Sequence, residues 1–158
     1  MRKSSPLRLI IFMTALLLAG SWIPQRFTVT ITPSLWHRIY LLDRAPSKEQ
    51  MVRNAYVLFE LNSRYLKGAK TQKTLKQVAC AAGDMLTVKE RSYYCNDTYL
   101  GQAKDYSLKG ERLPHLEFEG VIPKGSLFVF GTHVDSLDSR YFGFVRKEDV
   151  IAIAYPVF

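Results

Sequence analysis

The side chains of this sequence that could do covalent chemistry are its serines, a few lysines and two cysteines. The densest polar stretch is Ser136-Leu137-Asp138-Ser139-Arg140-Tyr141-Phe142-Gly143-Phe144-Val145. Composition alone reads it as a Ser- and Asp-rich turn leading into a strand. A serine hydroxyl attacks a carbonyl well only when a base takes its proton. Histidine is the usual base, but His37, His115 and His133 lack triad-like surroundings and read as structural or surface groups. A lysine can serve instead if it is held neutral. At a pKa near 10.4, about one lysine in 2,500 is neutral at pH 7, and burial can lower that pKa by several units. Lys73 and Lys76 both precede an apolar run, and Leu75 and Val78 give Lys76 apolar neighbours on a strand. Composition does not choose between the two lysines.

Cys80 and Cys95 are too few for a metal site. The strand–turn–strand pattern between them makes a hairpin disulfide sterically reasonable, which implies export to an oxidising compartment. The other reading is two buried thiols. No cofactor is expected.

These residues must be positioned by a scaffold, and the 158-residue chain is long enough for one domain, with 47% hydrophobic content to build a core. Nine Tyr, nine Phe and many Val and Ile favour strands. Phe27–Thr32 alternates apolar and polar at period two, and Tyr56–Leu61, Met85–Val88, Leu127–Phe130 and Val150–Tyr155 are short apolar runs. Gly83-Asp84, Asn96-Asp97 and Pro123-Lys124-Gly125 separate them. The expectation is a mainly β, antiparallel domain over residues 26–158, a small barrel or folded sheets. Two polar segments read as excursions: Asn62–Thr74, with Arg64, Lys67, Lys70 and Lys73 at every third position, and Gly101–Glu119. The first reads as a solvated helical turn or loop, the other reading being a docking patch for membrane or substrate.

Residues 1–25 read differently. Arg2, Lys3 and Arg8 precede an uncharged run from Leu9 to Ile23, closed by Trp22 and Pro24. As a helix the run spans about 22 Å, short of a hydrocarbon core of about 30 Å unless Leu7 is counted and Arg8 snorkels. The expectation is a single-pass membrane anchor with its basic end inside and the remainder exported. The competing reading is a cleaved signal peptide with Ala19-Gly20-Ser21 as its cleavage site. The net charge of +8 suits acidic lipid head groups, and no arginine stripe, zinc spacing or nucleic-acid motif accompanies it. Nucleic acid is therefore not an expected partner.

Ser136, Asp138, Ser139, Arg140, Gly143 and Val145 fill every fixed position of Ser-x-Asp-Ser-Arg-x-x-Gly-x-Val. The stretch closely resembles the last signature of type I signal peptidases. Upstream, Lys76 stands eight residues before Asp84 of a Gly-Asp turn, as the lysine of that family does, with Gln77 and Ala82 where Arg and Pro are common. The nucleophile segment departs further. In place of Ser-Met-x-Pro-Thr the chain has Ser34-Leu35-Trp36-His37-Arg38, preceded by Thr32-Pro33 and followed by Tyr40. That form is similar to the conjugative-transfer peptidases of the TraF type. Val52-Arg53-Asn54-Ala55-Tyr56-Val57 resembles the Gly-Asp-x-Val strand entry in weakened form.

The resemblance implies a Ser34–Lys76 catalytic pair. It implies an oxyanion hole from the Ser34 N–H and the Thr32 hydroxyl, and a Ser136 hydroxyl that orients the Lys76 amine. Asp138 and Arg140 would pair to hold the loop, and Ser139 and Gly143 would pack beneath the site. One residue is missing before Ser136 relative to the common form, which leaves the places of Gly131 and His133 open. The function implied is a membrane-anchored endopeptidase at the periplasmic face of a bacterial inner membrane, processing exported precursors such as a conjugative pilin, with possible joining of its ends. Its partners would be the precursor protein and the lipid bilayer. The alternatives are a general signal peptidase and, outside enzymes, an inactive exported scaffold of a secretion complex. Bulky Trp36 after the nucleophile implies a restricted substrate range, one or a few pilin-like precursors with small residues before the cut.

Overall fold

The computed structural model describes residues 6–32, 34–62 and 71–158. An N-terminal helix, α1 (Pro6–Arg26), runs into eleven strands: β1 (Phe27–Val29), β2 (Ile39–Asp43), β3 (Tyr56–Leu61), β4 (Gln72–Ala81), β5 (Met85–Lys89), β6 (Ser92–Cys95), β7 (Thr98–Gln102), β8 (Gly120–Val121), β9 (Ser126–Phe130), β10 (Val145–Arg146) and β11 (Val150–Pro156). A one-turn helix, α2 (Ser139–Phe142), lies between β9 and β10. The strands form two antiparallel sheets, one in the order β1-β2-β11-β3-β4-β9-β10 and one in the order β7-β6-β5-β8. This is the mainly β, folded-sheet architecture that the alternation and turn residues imply.

The larger sheet is covered on both faces at its centre, so Val57, Leu58 and Phe59 are all buried in succession. Side chains alternate across a strand. Val57, Phe59, Val78, Val129 and Ile153 fill one face, while Leu58, Leu75, Tyr40, Leu42 and Ala154 fill the other under Leu35. Lys76 stands opposite Val57 and follows the alternation of Val78, not of Leu75. Its charge-bearing end is therefore carried on a packed apolar face.

The smaller sheet is built by tight hairpins. Asn96 and Asp97 both have positive φ, at 46° and 65°, as a two-residue hairpin turn requires. Glu90 and Arg91 adopt the same conformation, at 46° and 66°, without the usual turn residues. Arg91 is held there by its guanidinium, which reaches the Lys104 and Leu113 carbonyls and His115. Cys80 of β4 and Cys95 of β6 form a disulfide with Cα atoms 5.8 Å apart, joining the two sheets. Asp84 lies beside it, but both sulfurs are spent on each other rather than offered as thiolates.

Several expectations are corrected. The strand expected over Phe27–Thr32 ends at Val29, because the chain then turns to deliver Ser34. The Asn62–Thr74 segment is not one loop: Gln72–Thr74 begin β4, and residues 63–70, with Arg64, Lys67 and Lys70, lie outside the described residues. Arg2, Lys3 and Pro33 also lie outside them. For the expected single-pass anchor, α1 is present as a helix, yet among the described residues no helix is long and apolar enough to cross a membrane.

Candidate active site

Lys76 is only 4% exposed, and its Nζ donates to Ser136 Oγ at 2.8 Å. Burial pulls its pKa down from 10.5 to about 8, Asp138 opposing the shift and Arg140 adding to it. At that value about one amine in ten is neutral at pH 7, roughly 250 times more than for a solvated lysine. The extended polar stretch around Ser136 is what supplies the orienting hydroxyl.

That stretch is a compact clamp on the end of β9. Asp138 is fully buried, caps α2 through the Arg140 N–H, and accepts from the Gly131 N–H at 3.0 Å. Its two oxygens also receive Arg140 Nε and Nη2, each at 2.8 Å. Arg140 continues to the Gln102 carbonyl of β7 at 2.8 Å and lies 4.5 Å above the Phe130 ring. Ser139 Oγ accepts from the Val129 N–H at 2.9 Å. These are charge-assisted and buried bonds, the kind that fix a loop rather than decorate it. Gly143 does not pack beneath the site. A Cβ there would meet open space, and the residue contributes its backbone conformation, φ 87° and ψ −157°, which ends α2.

Ser34 reaches the same place from the other side. Its carbonyl accepts from the Thr132 N–H at 2.9 Å and faces the Thr132 hydroxyl at 3.4 Å. A Cβ placed on Gly131 would stand 2.0 Å from Ser136 Oγ and 2.9 Å from the Ser34 carbonyl oxygen. The Ser34 segment, Ser136 and Lys76 thus converge within a few ångströms of Gly131. Among the described residues no hydrogen bond joins Ser34 to Lys76. Ser34 Oγ is bonded instead to Thr32 Oγ1 at 2.8 Å, so the threonine hydroxyl expected in an oxyanion hole rests on the Ser34 hydroxyl.

None of the histidine side chains is bonded to Ser34, Lys76 or Ser136 among the described residues, although the His133 carbonyl accepts from the Ser136 N–H at 3.0 Å. His37 meets Tyr40 and Tyr56 edge-on, His115 contacts Arg91, and His133 accepts from the Asp135 N–H. Sequence reasoning left Gly131 unplaced and missed Thr132 and the ion pair of Lys104 with Asp135. Gly131 follows the apolar run Leu127–Phe130, so its signal is that of a strand stop. The ion pair has no sequence signal, since its members are far apart in the chain.

A family model described as "Signal peptidase, peptidase S26" matches residues 3–158. No curated protein matches the chain. Among solved structures, a signal peptidase I from Enterococcus faecalis V583 is similar, with 25% identity and a TM-score of 0.40 over 64% of this chain and 93% of that one.

Proposed function

The chain belongs to the signal peptidase S26 family, serine peptidases acting on exported proteins, and on that premise we propose that it cuts by a Ser34–Lys76 pair. The observation that carries this reading is the buried Lys76 amine, depressed in pKa and bonded to Ser136 Oγ beside the Ser34 segment. Neutral Lys76 takes the Ser34 proton as Oγ attacks the scissile carbonyl. The oxyanion forms against the Ser34 N–H, and the Thr32 hydroxyl joins it by turning from Ser34 Oγ. The protonated Lys76 then gives its proton to the leaving amine, leaving an acyl-enzyme that water, or a second amine, releases. Ser136 holds the amine on line throughout.

The substrate proposed is an exported precursor, a dedicated pilin-like one rather than signal peptides at large. The support is Trp36, which is 82% exposed two residues past Ser34 and narrows what can lie there. The Cys80–Cys95 disulfide supports action on the oxidising, exported side, a bacterial periplasm. On α1, Leu7, Leu9, Ile10, Ile11, Phe12, Met13, Leu16, Leu17 and Leu18 are each more than half exposed. So large an apolar surface is costly in water and supports lipid contact by this helix at the bilayer.

The test is cleavage of a co-encoded pilin precursor by the wild type, Ser34→Ala and Lys76→Ala. Both variants should fold and fail to cut. Because the pair acts as a unit, the double variant should be scarcely worse than either single one. Full activity in either single variant removes the mechanism.

A further inference from the structure

We infer that the cleft between Trp36 and β7 is a second substrate subsite, one that takes a bulky, uncharged aromatic side chain near the cut. This rests on the peptidase reading of Ser34 and adds to it a chemical class of substrate. The cleft has a volume of about 820 Å³ and is lined by Trp36, Thr132, Val134, Phe130 and the segment from Tyr99 to Tyr106. The cleft adjoins the Ser34 segment through two of its lining residues. Trp36 is two residues past Ser34, and Thr132 is the residue that binds the Ser34 carbonyl. A peptide lying across Ser34 therefore has this cleft beside it.

The walls select for apolar character. Trp36, Tyr99, Tyr106 and Val134 are 82%, 58%, 60% and 58% exposed, and they come from three separate segments of the chain. Rings of this kind bury area and add offset or edge-on contacts with another ring. The charges in and around the cleft are already matched. Lys104 pairs with Asp135, Asp105 lies 3.2 Å from Arg91, and Arg140 is bound to Asp138. His133 faces Asp135 and has its Nδ1 occupied by the Asp135 N–H. A charged substrate group would lose water here without finding a free counter-charge. β7 is the terminal strand of its sheet, but its outer Gln102 carbonyl is already taken by Arg140, so selection falls to the rings.

Binding can be measured without turnover. The full-length Ser34→Ala protein in detergent micelles is titrated with fluorescently labelled precursor peptides in which Phe, Ala, Asp or Lys is scanned through positions flanking the cut. At one position Phe should bind at least about tenfold tighter than Ala, with Asp and Lys no better than Ala. Adding Trp36→Ala and Tyr106→Ala should bring the Phe and Ala affinities within about twofold, while Trp36→Phe keeps the preference. Both side chains are exposed, so melting temperatures should be unchanged, and they are checked in parallel. Equal affinities at every position, a preference for Asp or Lys, or a Phe preference that survives the double substitution overturns the subsite. Cleavage by wild type that persists in Ser34→Ala would instead overturn the peptidase reading and leave the binding result standing.

Discussion

Gly131 leaves open the space that Ser136 occupies: a Cβ there would stand 2.0 Å from Ser136 Oγ and 2.7 Å from Ser136 Cβ. The backbone oxygen of Ser34 bounds the same space at 2.9 Å, and a main-chain atom cannot swing aside. Gly131→Ala should therefore displace both Ser136 and the Ser34 segment. A displacement of about 1 Å costs on the order of 10²-fold in rate. Single-turnover cleavage should show that loss in kcat, with substrate affinity much less affected. Wild-type kcat in Gly131→Ala would mean the contact does not position the site.

The proposed base, Lys76, must be neutral to act, so its pKa should be visible in the rate. With the amine pulled down to about 8 by burial, kcat/KM should rise with pH through that value and level off above it. A solvated lysine would place the rise near 10.4. A pH profile of precursor cleavage that is flat between pH 6 and about 9 would argue against a titrating Lys76.

The same shift has a stability consequence of definite sign. Folded Lys76 loses its proton near 8 and unfolded lysine near 10.5, so between these values the unfolded chain binds more protons and stability rises with pH. Below about 8 both states are charged and the burial penalty is present in full. Lys76→Met should thus be more stable than wild type at pH 7, by up to roughly 3 kcal/mol, and the gap should close toward about pH 10.5. Urea unfolding at the two pH values checks both the sign and the window. An inactive but more stable variant would mark Lys76 as retained for chemistry.

Asp138 and Ser139 differ in what their loss leaves behind. Asp138→Ala strands the buried Arg140 guanidinium and the Gly131 N–H, and should cost about 3–5 kcal/mol. Ser139→Ala leaves only the buried Val129 N–H unsatisfied, which should cost about 1–3 kcal/mol. Thermal or urea melts should rank the two in that order. A reversed order would mean that the ion pair does not hold the loop.

Much of the architecture is legible in the residues themselves. The apolar runs at Tyr56–Leu61 and Val150–Tyr155 become β3 and β11 because a strand covered on both faces needs near-continuous apolar residues. Asn96-Asp97 tolerates the left-handed backbone its turn demands, and so announces the hairpin. Lys76 and the Ser136–Val145 stretch stand out because their types and spacing follow a family signature. Glu90-Arg91 gives no such notice, since its turn is held by Arg91 contacts to Lys104, Leu113 and His115 farther along the chain. What tertiary structure alone decided is convergence. Gly131 matters because the register of β4 on β9 and the Thr132–Ser34 bond bring three segments to one point, and the cleft exists because β7 ends its sheet beside Trp36. Those distances are set by packing between residues far apart in sequence, and the spacing of residue types along a chain carries no record of them.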